Sequence, residues 1–144
     1  METLNSLSTR SLQYFVIAKK WSSDLEFYKV EIKFLRLLLE NNYLTLQNNG
    51  DRDTVKRINK DLMVLDEEKN QLEVLLGDQI KHLELMAEDV IPEDATTVAG
   101  NQIRLEYMVS GLFSEYKDLK REIFDLVQEA SAQCNAIEQF THLN

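Results

Sequence analysis

The chemistry this chain could perform is best sought where polar side chains interrupt apolar helical seams, and Lys69 is the foremost case. Folding the chain about Gly50 and Pro92 brings Tyr28 and Tyr116 to its level, a candidate polar core layer of Tyr28, Lys69 and Tyr116. A lysine sequestered from water loses basicity and can serve as a base or a nucleophile. The simpler role is structural. A polar residue at a seam penalises alternative alignments, and a long lysine stem lets the ammonium reach Glu31 or Glu115 at the surface.

A second interruption is Gln79. The same folding about Gly50 sets it opposite Trp21, and a buried indole N–H needs an acceptor, so Trp21 and Gln79 are expected to form a buried hydrogen-bonded pair. Elsewhere the residues needed for chemistry are missing. His82 and His142 follow Gln79 and Gln139 by three residues, where di-iron bundles carry Glu-x-x-His, so neither a metal nor a cofactor is expected. Asp78, four residues before His82, suits a helix-surface hydrogen bond. Cys134 lies beside Ala130 and Ile137 as a small apolar filler, and a single cysteine forms no internal disulfide. Without a phosphate-cradling glycine loop or a nucleophile elbow, the sequence points away from an enzyme.

The balance of 16 basic against 25 acidic residues, net charge -9, disfavours nucleic acid and anionic membranes as partners. Arg52, Lys56, Arg57 and Lys60 form one basic group, and Lys117, Lys120 and Arg121 another; both sit among acids and are expected to be solvated faces. Near the start, Tyr14 to Ala18 is too short an apolar run to span a bilayer, so a reducing, cytoplasmic setting is expected.

Behind these residues stand three stretches with apolar positions at alternating steps of three and four. The first seam is Tyr14, Ala18, Trp21, Leu25, Tyr28, Ile32, Leu35, Leu39, Asn42 and Leu46. It crosses Ser22-Ser23 without a slip, which favours one helix over two despite a possible capping box at Ser23 to Glu26. The second runs Val55, Ile58, Leu62, Leu65, Lys69, Leu72, Leu76, Gln79, Leu83, Met86 and Val90. The third begins Val98, Gln102, Leu105, Val109, Leu112, Tyr116, Leu119, Ile123, Leu126 and Ala130, and continues through Gln133, Ile137 and Phe140. Asn48-Asn49-Gly50 and Pro92 end the first two helices, and Glu93-Asp94 places negative charge at the start of the third.

The expected fold is therefore all-α, an elongated antiparallel up-down three-helix bundle with helices over about 12–48, 52–90 and 94–140. It forms a single domain, 1–144, with 1–10 a loosely ordered N-terminal segment. Ser22, Ser23, Gly77, Ser110 and Gly111 gather at similar heights and suggest close approach by another chain or local bending.

Helix one is apolar over more than a seam. Phe27 and Phe34 flank it, and Val16, Val30, Leu37 and Leu44 lie beyond, widening the apolar arc to about 160° at ~100° per residue. Two neighbouring helices do not readily cover such an arc. A second copy of the chain, the N-terminal Leu4 and Leu7 folded back, or a foreign partner would. The function itself is not written in the sequence; the expectation is a non-enzymatic interaction or structural protein that self-associates as a homodimer through helix one. A small-ligand binder or enzyme built on the polar core layer is the alternative, and a peripheral membrane-binding bundle a further one, weakened by Asp24, Glu26 and Glu31.

Overall fold

In a computed structural model that describes residues 7–48 and 50–143, with side chains through residue 132, the chain is all-α. Four helices follow in order: α1 (Thr9–Asn41), α2 (Tyr43–Asn48), α3 (Arg52–Ala87) and α4 (Ala95–Leu143). No helix among the described residues is long and apolar enough to cross a membrane. Leu4 and the side chains of Gln133, Cys134, Ile137, Phe140 and His142 lie outside the described residues.

The helix ends are set by local chemistry. Ser8 caps α1: its Oγ accepts the Ser11 N–H at 3.2 Å, while its carbonyl accepts the Leu12 N–H at 2.9 Å. Helix formation thus starts inside the segment expected to be loose. Asn42 then interrupts the first long helix, since its side-chain amide donates to the Leu38 carbonyl at 2.8 Å and its backbone N–H turns to Leu39. The expected single helix over 12–48 is accordingly two, and the break falls at Asn42; Ser22-Ser23 lies well inside α1.

Gly50, at φ 78°, closes α2. Its N–H reaches the Gln47 carbonyl and the Asp51 N–H the Leu46 carbonyl, the paired bonds of a left-handed helix cap. The end of α3 repeats that geometry without a glycine. Asp89 takes φ 57°, with its N–H on Met86 and the Val90 N–H on Leu85. Asp94 then caps α4, its carboxylate accepting from the Thr97 N–H at 3.2 Å and from the Thr97 hydroxyl at 2.7 Å. Those bonds, the hydroxyl's first, hold the Asp94 carboxyl below its ordinary pKa.

Two compact units are distinguished: Met1–Lys29 with Glu67–Phe113, and Val30–Asp66 with Ser114–Asn144. The first holds parts of α1, α3 and α4, and the second adds α2 to the remaining parts of those three. In the first, Leu7 packs with Leu83, Met86, Ala87 and Val98, and Leu12, Tyr14, Phe15 and Ile91 close around them. In the second, Ile32, Leu35, Leu39 and Leu46 are buried along with Val55, Ile58, Leu62, Leu119 and Ile123. Contacts within each unit give the same helix directions: Ser11 and Tyr14 meet Glu93 and Gln102 in one, Glu31 and Phe34 meet Tyr116 and Phe124 in the other. Within each unit α1 and α4 therefore run parallel.

Buried residues follow the predicted seams closely. From Val55 to Met86 every α3 seam residue is buried, Lys69 and Gln79 included. Val90 departs from the pattern at 63% exposed, because the left-handed Asp89 ends the helix before the seam reaches it.

Candidate interaction surface

The polar seam residues Lys69, Gln79 and Gln102 are each engaged by a neighbour. Gln79 does not bond Trp21. Its amide NH2 donates to the Val98 carbonyl at 3.0 Å and to Gln102 Oε1 at 3.1 Å, while its own Oε1, buried, accepts nothing. Gln102 passes the pattern on, donating to the Tyr14 carbonyl at 3.3 Å. The result is a one-way amide relay from α3 through α4 to α1, with Trp21 half-buried outside it. A signal for it was present: Gln79 and Gln102 are both polar seam residues, and folding about Pro92 brings them near one level.

Lys69 is 3% exposed, and its ammonium lies 3.6 Å from Glu73, four residues on along α3. Tyr116 donates its hydroxyl to Glu31 Oε2 at 2.7 Å, and Lys120 Nζ stands 3.5 Å from the same oxygen. Lys120 also lies 5.6 Å from the centroids of both the Tyr116 and Phe124 rings, so its charge rests on aromatic faces. Tyr28 is buried, its ring 5.6 Å from Phe113 and 6.0 Å from Phe27. Desolvation, with a smaller push from Asp24, raises its hydroxyl pKa to about 12. Each of the three residues is engaged: Lys69 by Glu73 of its own helix, Tyr28 by an aromatic stack and Tyr116 by Glu31.

The basic groups lie on exposed faces as expected, with Lys120 alone half-buried, and some of their charges are paired. Arg57 pairs with Asp61 at 2.8 Å and with Glu122 on α4. Sequence reasoning also missed the clasp at the start of α1. Glu93 Oε1 accepts from the Ser11 hydroxyl at 2.7 Å and from the Ser8 N–H at 3.3 Å, so the turn before α4 supplies a carboxylate to the positive end of α1. Hydrogen bonds from Ser8 and then Ser11 hold that carboxyl below its ordinary pKa.

The expected interface residues lie on the apolar arc of α1, except Leu44, which the break at Asn42 places on α2, and all of them are exposed. In the first unit these are Val16 at 60% and Phe27 at 58%, joined by Ile17; in the second they are Val30, Phe34, Leu37 and Leu44, at 67, 49, 47 and 73%. Leu7, a candidate cover for this arc, is committed instead to the cluster with Leu83 and Val98. Phe34 meets Phe124 edge to face at 6.5 Å, which orients its ring while half of the side chain stays in solvent. Val16, Phe27, Val30, Phe34 and Leu37 keep steps of three and four, or multiples of seven, along the outer side of α1. That spacing makes a second heptad seam, about 160° around the helix from the buried one at ~100° per residue.

Clefts open in both units. One of about 210 Å³ in the first unit is lined by residues including Gln79, His82, Asn101 and Arg104. In the second unit, one of about 460 Å³ is lined by residues including Arg36, Leu39, Tyr43 and Met63, and one of about 520 Å³ by residues including Lys117, Lys120 and Phe124. Lys69 lines none of these. No group of three or more His, Cys, Asp or Glu among the described residues is placed to hold a metal ion. Comparison of the chain with protein-family models, with curated proteins and with solved structures gives no match.

Proposed function

We propose that this protein is a non-enzymatic interaction module that self-associates through the outer face of α1. The observation that carries the proposal is the exposed second seam: Phe27, Val30, Phe34 and Leu37 are each between 47 and 67% exposed at heptad spacing, on a helix whose opposite side is already packed. Scattered apolar residues on a surface need no explanation, whereas a periodic run of large ones is the pattern by which helices find partners. Burying one such side chain is worth ~1.5–3 kcal/mol, so four from each copy supply a substantial drive for association.

The seam is not uniformly apolar. Lys20 and Ser23 occupy two of its positions, which suits a reversible contact between folded molecules. The experiment is mass in solution. Wild-type protein is expected to sediment or scatter light as a dimer, and Phe34→Glu as a folded monomer with unchanged helical circular dichroism. A wild-type monomer at high micromolar concentration, or a Phe34→Glu protein that keeps the dimer mass, would overturn the proposal.

A further inference from the structure

Along the outer seam of α1, Lys20, Phe27 and Phe34 take the first core position of the heptad, and Val16, Ser23, Val30 and Leu37 the second. The residues directly preceding the first core position are Lys19, Glu26, Lys33 and Glu40. All four are exposed, and their charge changes sign at every heptad. Residues at this edge decide partner and orientation in paired helices, because they face the partner across the rim of the apolar stripe.

Each possible alignment of two copies can be tested against those signs. In a parallel pair, each edge residue meets the one five further on in the second copy. That sets Glu26 against Glu31 and Lys33 against Leu38, and leaves Lys19 with Asp24 as the favourable contact. In an antiparallel pair, edge residues of the same kind face each other. If Phe27 lies against Val30 of the second copy, Glu26 meets Lys33 and Lys19 meets Glu40, and two-fold symmetry repeats both pairs. Sliding by one heptad in one direction opposes Lys33 to Lys33 and Glu26 to Glu40; in the other it opposes Glu26 to Glu26 and Lys19 to Lys33. One alignment satisfies every charge on this edge.

The core of that alignment is also consistent. Phe27 packs on Val30, Lys20 lays its stem beside Leu37, and the large Phe34 meets the small Ser23. On the opposite rim, Ile17, 41% exposed, meets the half-buried Leu38. Asp24 there faces Glu31, whose charge is already compensated by Tyr116 and Lys120 of its own chain.

We propose that the partner of α1 is α1 of a second copy, antiparallel, in the alignment that sets Phe27 against Val30, selected by the alternation Lys19, Glu26, Lys33, Glu40. The proposal rests on the self-association argued above and adds its orientation and register.

Dissociation constants by analytical ultracentrifugation at low salt test it, with wild type, Glu26→Lys, Lys33→Glu and the double variant. Positions 26 and 33 are two turns apart on α1 and are not neighbours within a chain. Each single change turns two symmetric attractions into repulsions and is expected to weaken the dimer about tenfold; the double change restores both and brings affinity back to within about threefold of wild type. The parallel pair and each shifted antiparallel pair predict something different, namely that at least one of the two single changes tightens the dimer. Tightening by either, or a double variant as weak as the two singles combined, overturns the register while leaving self-association standing. A wild-type monomer overturns both.

Discussion

Tyr28 and Gln79 mark two ways a polar atom is accommodated in this core. Tyr28 keeps its hydroxyl protonated well past the ordinary range, with a pKa of about 12 against 10.0, because ionisation would place a charge among apolar neighbours and near Asp24. A folded-state pKa above the unfolded one means that this contribution to stability is fully present below pH 10.0 and is lost as pH rises through about 12. Denaturant titrations across that window should show wild type losing stability more steeply than Tyr28→Phe. Gln79 is bound into the amide relay, so Gln79→Leu strands Gln102 Oε1 in the interior and should cost ~1–3 kcal/mol; adding Gln102→Leu should recover part of that loss in thermal melts. That Gln79 would be buried was legible from its seam position. Its partner was not, since level-matching about Gly50 fixes height along neighbouring helices without fixing which neighbour an amide faces.

The same distinction between periodicity and local geometry holds at the scale of the helices. The spacing of Val55 to Met86 sufficed to forecast an uninterrupted buried stripe, because burial along a helix depends on angle alone. Ends depend on single hydrogen bonds. Asn42 sits in phase with the α1 seam yet breaks the helix through its bond to Leu38, and Asp89 takes a left-handed backbone usually left to glycine, so neither break is visible in the apolar pattern. Gly77 and Gly111 carry a clear forecast. Both are exposed inside long helices, and a methyl group added at either meets nothing within 4 Å. Gly77→Ala and Gly111→Ala should each raise stability by ~0.5–1 kcal/mol in chemical denaturation, as lower backbone entropy in the unfolded chain predicts. A loss at either site would instead point to a second chain packed there, the close approach that its sequence position suggested.

At the scale of the whole molecule, a net charge of -9 acts against association of two copies, and the apolar seam must outweigh it. A folded state stabilised by its own dimer melts later as protein concentration rises. Thermal melts at two concentrations a hundredfold apart should separate for wild type and coincide for Phe34→Glu. The seam's existence could be foreseen from Phe27, Val30, Phe34 and Leu37, but its availability could not, since that depends on where Leu7 goes. Leu7 goes to the far end of its unit, against Leu83, Met86, Ala87 and Val98, beside a turn whose residues from Glu88 to Val90 and from Pro92 to Thr97 are all exposed. That turn is consequently the natural place to divide the gene: a cut there severs only solvent-facing backbone, and the grease on either side of the nick gives two separately expressed fragments a reason to recombine.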